Sequence, residues 1–289
     1  MKHSIVAVSA RVAKPALRVF NNTLPLLRRG FGRRVLGCAV IVSGLTATTA
    51  KADTLDAAAE RYRPLMTEEI EHSLDGAQAM RLALLSGGVD EAQKAWIASR
   101  IGWERAEVFT SGFTELDREI DAWPNAATGF HAIEAKLFGA NRLDVQPETD
   151  ALIFHLTDLR VKIRDTRLSA QGLLEGAAKL AYEVGESKAD GGESRFSGTS
   201  LEDMRNNVDG LDSVFRVVFA EALEARDPRL TEEVRANLGE LRDLLQVPTL
   251  SRLDSGKLRA KSEELIISFQ AAAPLLGLRP PSLQDLIQQ

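Results

Sequence analysis

Cysteine is almost absent from this sequence of 289 residues. Cys38 stands alone, inside a leader-like segment, so residues 53–289 hold no disulfide, thiolate nucleophile or sulfur ligand. Any metal site there must be built from oxygen and nitrogen. No apolar run approaches the roughly 20 residues needed to span a bilayer. The alternation of β-branched and polar residues that marks half-buried strands is missing. The first 52 residues contain no acidic side chain, and the zinc-protease motif His-Glu-x-x-His occurs nowhere in the chain.

What is present begins with nine basic residues among those first 52, followed by an apolar run from Val35 to Leu45 and the small-x-small triplet Ala50-Lys51-Ala52. That is the order of a signal peptide, with cleavage expected before Asp53. Residues 1–52 are thus read as an export signal to the periplasm, and 53–289 as the working domain. Arg28-Arg29-Gly30-Phe31 resembles a twin-arginine signal. Leu36-Gly37-Cys38 resembles a lipoprotein box, but its apolar run follows the cysteine instead of preceding it, which argues against a lipid anchor. Removing the leader also unmasks charge. The formal −5 of the whole chain becomes about −14, because 27 basic residues then face 41 acidic ones. Such a surface repels nucleic acid and suits cations.

Apolar residues recur at helical spacing. Leu152, Leu156, Leu159 and Ile163 form one stripe, and Met204, Val208, Leu211, Phe215 and Val218 another. Gly87-Gly88 followed by Asp90-x-x-Gln93 predicts a stop and then a capped helix start. Trp123-Pro124-Asn125 predicts the end of a segment, Gly139 the end of a short helix, and Pro147 the start of a long one running to about Glu183. The glycine-rich stretch Gly185 to Gly198 separates this set from a second, restarting at Thr199-x-x-Glu202 and punctuated by Pro228 and Pro248. The expected fold is all-α: a helical bundle, built as two stacked four-helix-type bundles sharing a long central helix.

Two helical segments each carry potential ligands three residues apart, Glu104 with Glu107 and His131 with Glu134, a spacing that puts both side chains on one helix face. Asp117 and Asp121 lie between them. Packed face to face, such helices would present one imidazole and several carboxylates to a single ion, a set suited to iron, zinc or manganese. The bland reading is equally available from the residues alone. Glu104 and Glu107 would be a solvated face pairing with Arg100 or Arg105, His131 a hydrogen-bonded core residue, and Asp117 and Asp121 partners of Arg118 or caps of a turn. Glu202 and Asp203 sit where a helix start favours acidic residues. Trp96 and Trp103 read as core, and His72 and His155 as structural.

The wording of the motifs adds a resemblance. Trp103-Glu104-Arg105-Ala106-Glu107, then Leu116-Asp117-Arg118-Glu119-Ile120-Asp121, then Gly129-Phe130-His131-Ala132-Ile133-Glu134 are similar to successive segments of the imelysin-like domain of the EfeO/EfeM family. A second block, Gly192-Glu193-Ser194-Arg195-Phe196-Ser197 with Leu201-Glu202-Asp203-Met204 and Asn207-Val208-Asp209-Gly210, resembles further segments of the same family. The resemblance implies a two-bundle helical fold and a metal site around the His-x-x-Glu helix. His131 and Glu134 carry over as ligands, Glu104 and Asp121 as co-ligands, and Glu107 as a further one. Trp103 stands where the family usually has tyrosine, and Ser197-Gly198 where it has a Ser-His pair. No copper-binding domain precedes the helices, as in the shorter EfeM form.

The implied function is periplasmic capture of iron, ferric or ferrous, with zinc as an alternative metal, and delivery to an inner-membrane iron permease. No catalysis is required. A metallopeptidase, with Glu107 as general base, is the enzymatic alternative. An acidic polysaccharide such as alginate is the other alternative ligand, for which Arg160, Lys162, Arg164 and Arg167 form the one dense basic cluster.

Overall fold

The computed structural model describes residues 43–122, 127–282 and 284, with side chains from Leu55 onward apart from those of Thr110 and Ser111. Most of the expected signal segment, residues 1–42, and the expected break at Trp123-Pro124-Asn125 lie outside the described residues.

All regular structure among the described residues is helical: α1 (Ser43–Ser86), α2 (Val89–Ala106), a 3₁₀ segment (Glu107–Gly112), α3 (Thr114–Asp121), α4 (Gly129–Leu137), α5 (Gln146–Asp165), α6 (Ala170–Gly185), α7 (Ser200–Val214), a π segment (Phe215–Phe219), α8 (Ala220–Glu224), α9 (Pro228–Leu244) and α10 (Ser255–Leu276). Helices α1, α2 and α5, with the short α3 and α4, pack as one group. Helices α6, α7, α9 and α10 pack as a second, joined to the first through α2 on α7, the 3₁₀ segment on α6, and α1 on the π segment. The helical-bundle expectation holds. Both apolar stripes are buried along their whole length. Among the described residues, no helix is long and apolar enough to cross a membrane.

The long helix is not where the pattern predicted it. The element expected from Pro147 to Glu183 breaks at residues 166–169 into α5 and α6, and the longest helix is instead α1. The break is stabilised from outside itself. Glu60 of α1 accepts the Leu168 amide at 2.9 Å, Asp56 accepts that of Ala170 at 3.0 Å, and Arg63 donates to the Thr166 carbonyl at 2.7 Å. Side chains of α1 thus satisfy the backbone groups that a helix end leaves orphaned. Two local expectations also fail. Gly88, not Asp90, caps α2, and Gln93 donates to the Leu137 carbonyl instead of closing a capping box. Thr199 caps α7 without a side-chain bond to the backbone, its hydroxyl donating to Asp203 instead.

Three close approaches position the site. A Cβ on Gly102 would meet the Glu69 carbonyl oxygen at 2.4 Å, and one on Gly76 would meet the Ser99 nitrogen at 2.5 Å, so α1 and α2 touch backbone to backbone. Ser99 Oγ seals this seam by donating to the Ser73 carbonyl at 2.6 Å. On α7, a Cβ on Gly210 would meet the Arg105 carbonyl oxygen at 2.5 Å. Gripped between α1 and α7, α2 turns Arg100, Trp103 and Glu104 inward, all of them buried.

Gly102→Ala is expected to destabilise the fold by about 1–3 kcal/mol, because the added methyl is opposed by backbone that has no freedom to yield. Gly239→Ala on α9, where nothing lies within 4 Å, should instead stabilise by about 0.5–1 kcal/mol through helix propensity. Urea unfolding midpoints of the two variants, moving in opposite directions from the parent, check both.

Candidate metal centre

Glu104 lies one helical turn beyond Arg100, so both project from one face of α2. Glu107 follows at the start of the 3₁₀ segment. Asp121 is the last residue of α3. His131 is the third residue of α4, whose first, Gly129, has a φ of +74° and lies so close to the Ile120 carbonyl that only glycine accommodates the sharp entry. The α6–α7 loop then folds inward and adds Lys188, Glu193, Ser194 and Ser197, while α7 contributes Asp203 and Asn207.

Arg100 is the hub. Its guanidinium pairs with Glu104 and Asp121, and lies 3.3 Å from Glu193 and 3.5 Å from Asp203. The same group is centred 5.2 Å from the Phe130 ring and 5.8 Å from the Trp96 ring, which close its apolar side. Lys188 Nζ lies 2.6 Å from Glu104, 3.2 Å from Glu107 and 3.3 Å from Glu193. Asn207 Nδ2 donates to the Glu104 carboxylate at 2.6 Å and to Glu107 at 3.0 Å, holding that pair from the opposite helix. Asp121 also accepts from Trp103 Nε1 at 2.7 Å.

His131 lies between carboxylates. Its Nδ1 is 3.1 Å from Glu134, and its Nε2 is 3.3 Å from Asp121 and 3.7 Å from Glu193. The other Glu134 oxygen accepts from the amides of Phe196 and Ser197 and from the Ser197 hydroxyl, at 3.0, 2.8 and 2.8 Å. Glu134 therefore clamps the α6–α7 loop to α4 and fixes the imidazole's rotation at once.

The five residues singled out in the sequence, His131, Glu134, Glu104, Asp121 and Glu107, all converge on this centre. Asp121, His131 and Glu193 offer ligand atoms within 4.8 Å of one another, and so do Glu104, Glu107 and Asp121, which share the aspartate. Asp117 stands aside, paired with Lys179 at 3.0 Å. Glu104 and Glu107 are not a solvated face: both are buried, as is Asp203, which accepts from Ser194 at 2.6 Å and Thr199 at 3.1 Å. Glu202, by contrast, pairs only with Arg205. Trp96 and Trp103 are core, while His72 and His155 lie away from the centre beside Glu69 and Glu119.

Sequence reasoning missed Lys188, Glu193 and Asn207 as members of the centre, and took Arg100 for a surface partner. Glu193 and Asn207 lay inside the family-like second block, a signal that was present. Lys188 had none, being a lysine in a polar, glycine-rich loop.

Among the described residues, the ion pairs of six carboxylates, Glu104, Glu107, Asp121, Glu134, Glu193 and Asp203, run to Arg100, Lys188 and His131, with Lys179 within electrostatic reach of Glu107. The surplus of negative charge shows in their proton affinities. Burial, reinforced by Glu104, raises Asp203 to about 7 against the pull of Arg100. Glu107 is raised well above its usual value by burial and by neighbouring carboxylates, despite Lys188. Glu193 goes the other way, to about 2, because Lys188 and the hydrogen bond from His131 outweigh its burial. Burial opposes the charged imidazole, but hydrogen bonds to Asp121, Glu134 and Glu193 prevail and raise His131 well above its ordinary range.

This is a class of protein in which two helix sets enclose a buried nest of carboxylates, one imidazole and two buried cations, Arg100 and Lys188. The chain belongs to the imelysin family: residues 47–268 match the family model described as Imelysin, Peptidase M75. It is 30% identical over 194 residues to the iron uptake system component EfeM of Pseudomonas syringae pv. syringae (strain B728a), covering 64% of this chain and 68% of that protein. It is 30% identical over 220 residues to the iron uptake system component EfeO of Escherichia coli (strain K12), a match spanning 71% of this chain and 58% of EfeO. An Efem/EfeO family lipoprotein of Staphylococcus haemolyticus (strain JCSC1435) is 26% identical, over 66% of this chain and 70% of that one. The crystal structure of a protein described as an iron-regulated protein A precursor from Parabacteroides distasonis ATCC 8503 shares the fold, with a TM-score of 0.59 at 14% identity, covering 78% of this chain and 95% of that one.

The buried carboxylates make metal-free stability depend on pH. Asp203, raised to about 7 by burial, binds a proton in the folded state that it has lost in the unfolded state between its ordinary value and 7. Its stabilising contribution is therefore complete below about pH 4 and is lost as pH rises through 7. Glu193, lowered to about 2, contributes above its ordinary range and loses that contribution as pH falls toward 2. The melting temperature of the metal-free protein should decline from pH 4.5 to 7, and Asp203→Asn should flatten that decline. Thermal unfolding followed by circular dichroism across this range measures both slopes.

Proposed function

We propose that this protein is an exported, non-enzymatic component of an iron-uptake system, which binds iron as cargo at the buried centre and hands it to an inner-membrane permease. The observation that carries the proposal is the cluster itself: Asp121, His131 and Glu193 form one group with ligand atoms within 4.8 Å of one another, Glu104, Glu107 and Asp121 form a second, and the two share the aspartate. The names of the EfeM and EfeO relatives, iron uptake system components, support iron as the cargo, and the lipoprotein relative supports export. Carboxylate oxygens are hard donors that favour ferric iron, while the single imidazole also suits ferrous iron and zinc.

The donor set fits such an ion. Asp121, His131 and Glu193 would provide ligands on the α4 side, and Glu104 with Glu107 on the α2 side. Glu134, already bonded to Nδ1, would orient the imidazole so that Nε2 faces the ion. Iron would then replace protons as the balancing charge: His131 must surrender its Nε2 proton to ligate, and Glu107 and Asp203 lose theirs as positive charge arrives.

A binding role explains the centre better than hydrolysis does. A zinc hydrolase keeps an open position for a water and a free general base. Here the proposed base, Glu107, is engaged by Lys188 and Asn207. The acidic-polysaccharide alternative finds little support on the surface. Arg160, Lys162, Arg164 and Arg167 face Glu71, Asp158, Asp165 and Asp56 at 4.0, 3.1, 2.8 and 3.6 Å, so the cluster is locally neutralised.

Calorimetric titration of the metal-free protein with ferric citrate, ferrous iron and zinc tests the proposal. One tight iron site is expected, lost in His131→Ala and weakened about 10–100-fold in Glu134→Ala, which removes the group that orients the imidazole and anchors the α6–α7 loop. Affinity should rise with pH, since protons leave as metal enters. Binding indifferent to His131→Ala would sink the assignment.

A further inference from the structure

Lys188 is the one cation of the centre that neither helix set requires for its packing. It comes from the α6–α7 loop, yet its side chain is only 2% exposed. Its ammonium lies at 2.6, 3.2 and 3.3 Å from Glu104, Glu107 and Glu193, a cage of three carboxylates from α2, the 3₁₀ segment and the loop itself. Glu104 and Glu107 are also two of the three residues whose ligand atoms converge to metal-binding spacing. An ammonium and a metal ion cannot occupy that cage together.

We propose that Lys188 is a tethered counter-cation: it holds the Glu104–Glu107–Glu193 cage assembled while no ion is bound, and the incoming ion must displace it. This rests on the metal-binding reading above and adds how loading is gated. Two observations favour exchange over a permanent ion pair. First, lysine binds as a point charge on a flexible four-carbon stem, so it can leave without dismantling the helices. Arg100, by contrast, is fixed through four carboxylates and two aromatic rings. Second, Asn207 donates to the same two glutamates from α7, so Glu104 and Glu107 stay in place when the ammonium withdraws.

The exchange conserves charge in part, one positive charge leaving the cage as two or three enter. It also sets a threshold. Weakly bound monovalent cations cannot compete with an ammonium that is always present at high local concentration, whereas a multivalent ion can. Lys188 would thereby select for charge and lower the affinity for every metal, making release to a partner easier.

The test uses the full exported chain, titrated with zinc and with ferric citrate. Lys188→Met, which keeps the length of the stem and removes its charge, is expected to bind metal at least tenfold more tightly than the parent while its metal-free form melts at a lower temperature. Lys188→Arg, which keeps the charge, should not bind more tightly. Because a charge-deleting variant in a buried site can fail to fold, a second readout uses the unaltered protein. Lys188 should resist an amine-acylating reagent in the metal-free state and become acylated on loading, as mapped by mass spectrometry. Parent binding with unchanged or weaker affinity in Lys188→Met, or Lys188 equally protected in both states, overturns the proposal while leaving the iron site intact. Absence of metal binding in parent and variant alike defeats the iron reading and the gate with it.

Discussion

Everything at the centre of this protein depends on Arg100. Its guanidinium reaches carboxylates from α2, α3, the α6–α7 loop and α7, and so ties four separately folded pieces of chain to one planar cation. Burying a charge without such pairing would cost several kcal/mol, and the cluster is tolerable because its charges pair with one another. Phe130 and Trp96 exclude water from the remaining face of the guanidinium, which keeps the local dielectric low and the pairings strong.

The same arrangement leaves the cluster short of positive charge. Arg100 comes from a helix and Lys188 from the loop, and with His131 they face six converging carboxylates. Burial among carboxylates raises the proton affinity of Glu107 and Asp203, and hydrogen bonds to carboxylates raise that of His131. The excess of carboxylates over buried positive charge is what the proposed cation binding rests on. Catalysis would demand something different, an open coordination position and a base with nothing else to do.

The rest of the bundle can be read as the means of building that centre. Glycines 76, 102 and 210 bring α1, α2 and α7 into backbone contact and fix the rotation of α2. Gly129 swings α4 back against the end of α3, so that His131 meets Asp121. Glu134 then secures the loop through two backbone amides. Tolerance is low at each of these positions because the opposing atoms are backbone, which cannot repack.

Helix content and the buried stripes on α5 and α7 were legible from residue order, because a period of 3.6 is a property of a single helix, while His131, Glu134, Glu104, Asp121 and Glu107 were singled out through the family-like wording of their motifs. The acidic balance and the absence of sulfur restricted the donor set for the same reason: composition is independent of fold. The break between α5 and α6 was not legible, since the groups that stabilise it, Asp56, Glu60 and Arg63, sit about a hundred residues away on α1. Nor were the capping boxes, whose side chains found better partners across the bundle. Above all, the sequence could not say that the side chains of Lys188 and Glu193 turn from a polar loop into the core, or that Asp203, in the first turn of α7, is also a buried acid near neutrality. Those outcomes depend on which charges face one another after packing, and electrostatic pairing in a buried site is decided by distances between elements that only the tertiary structure fixes.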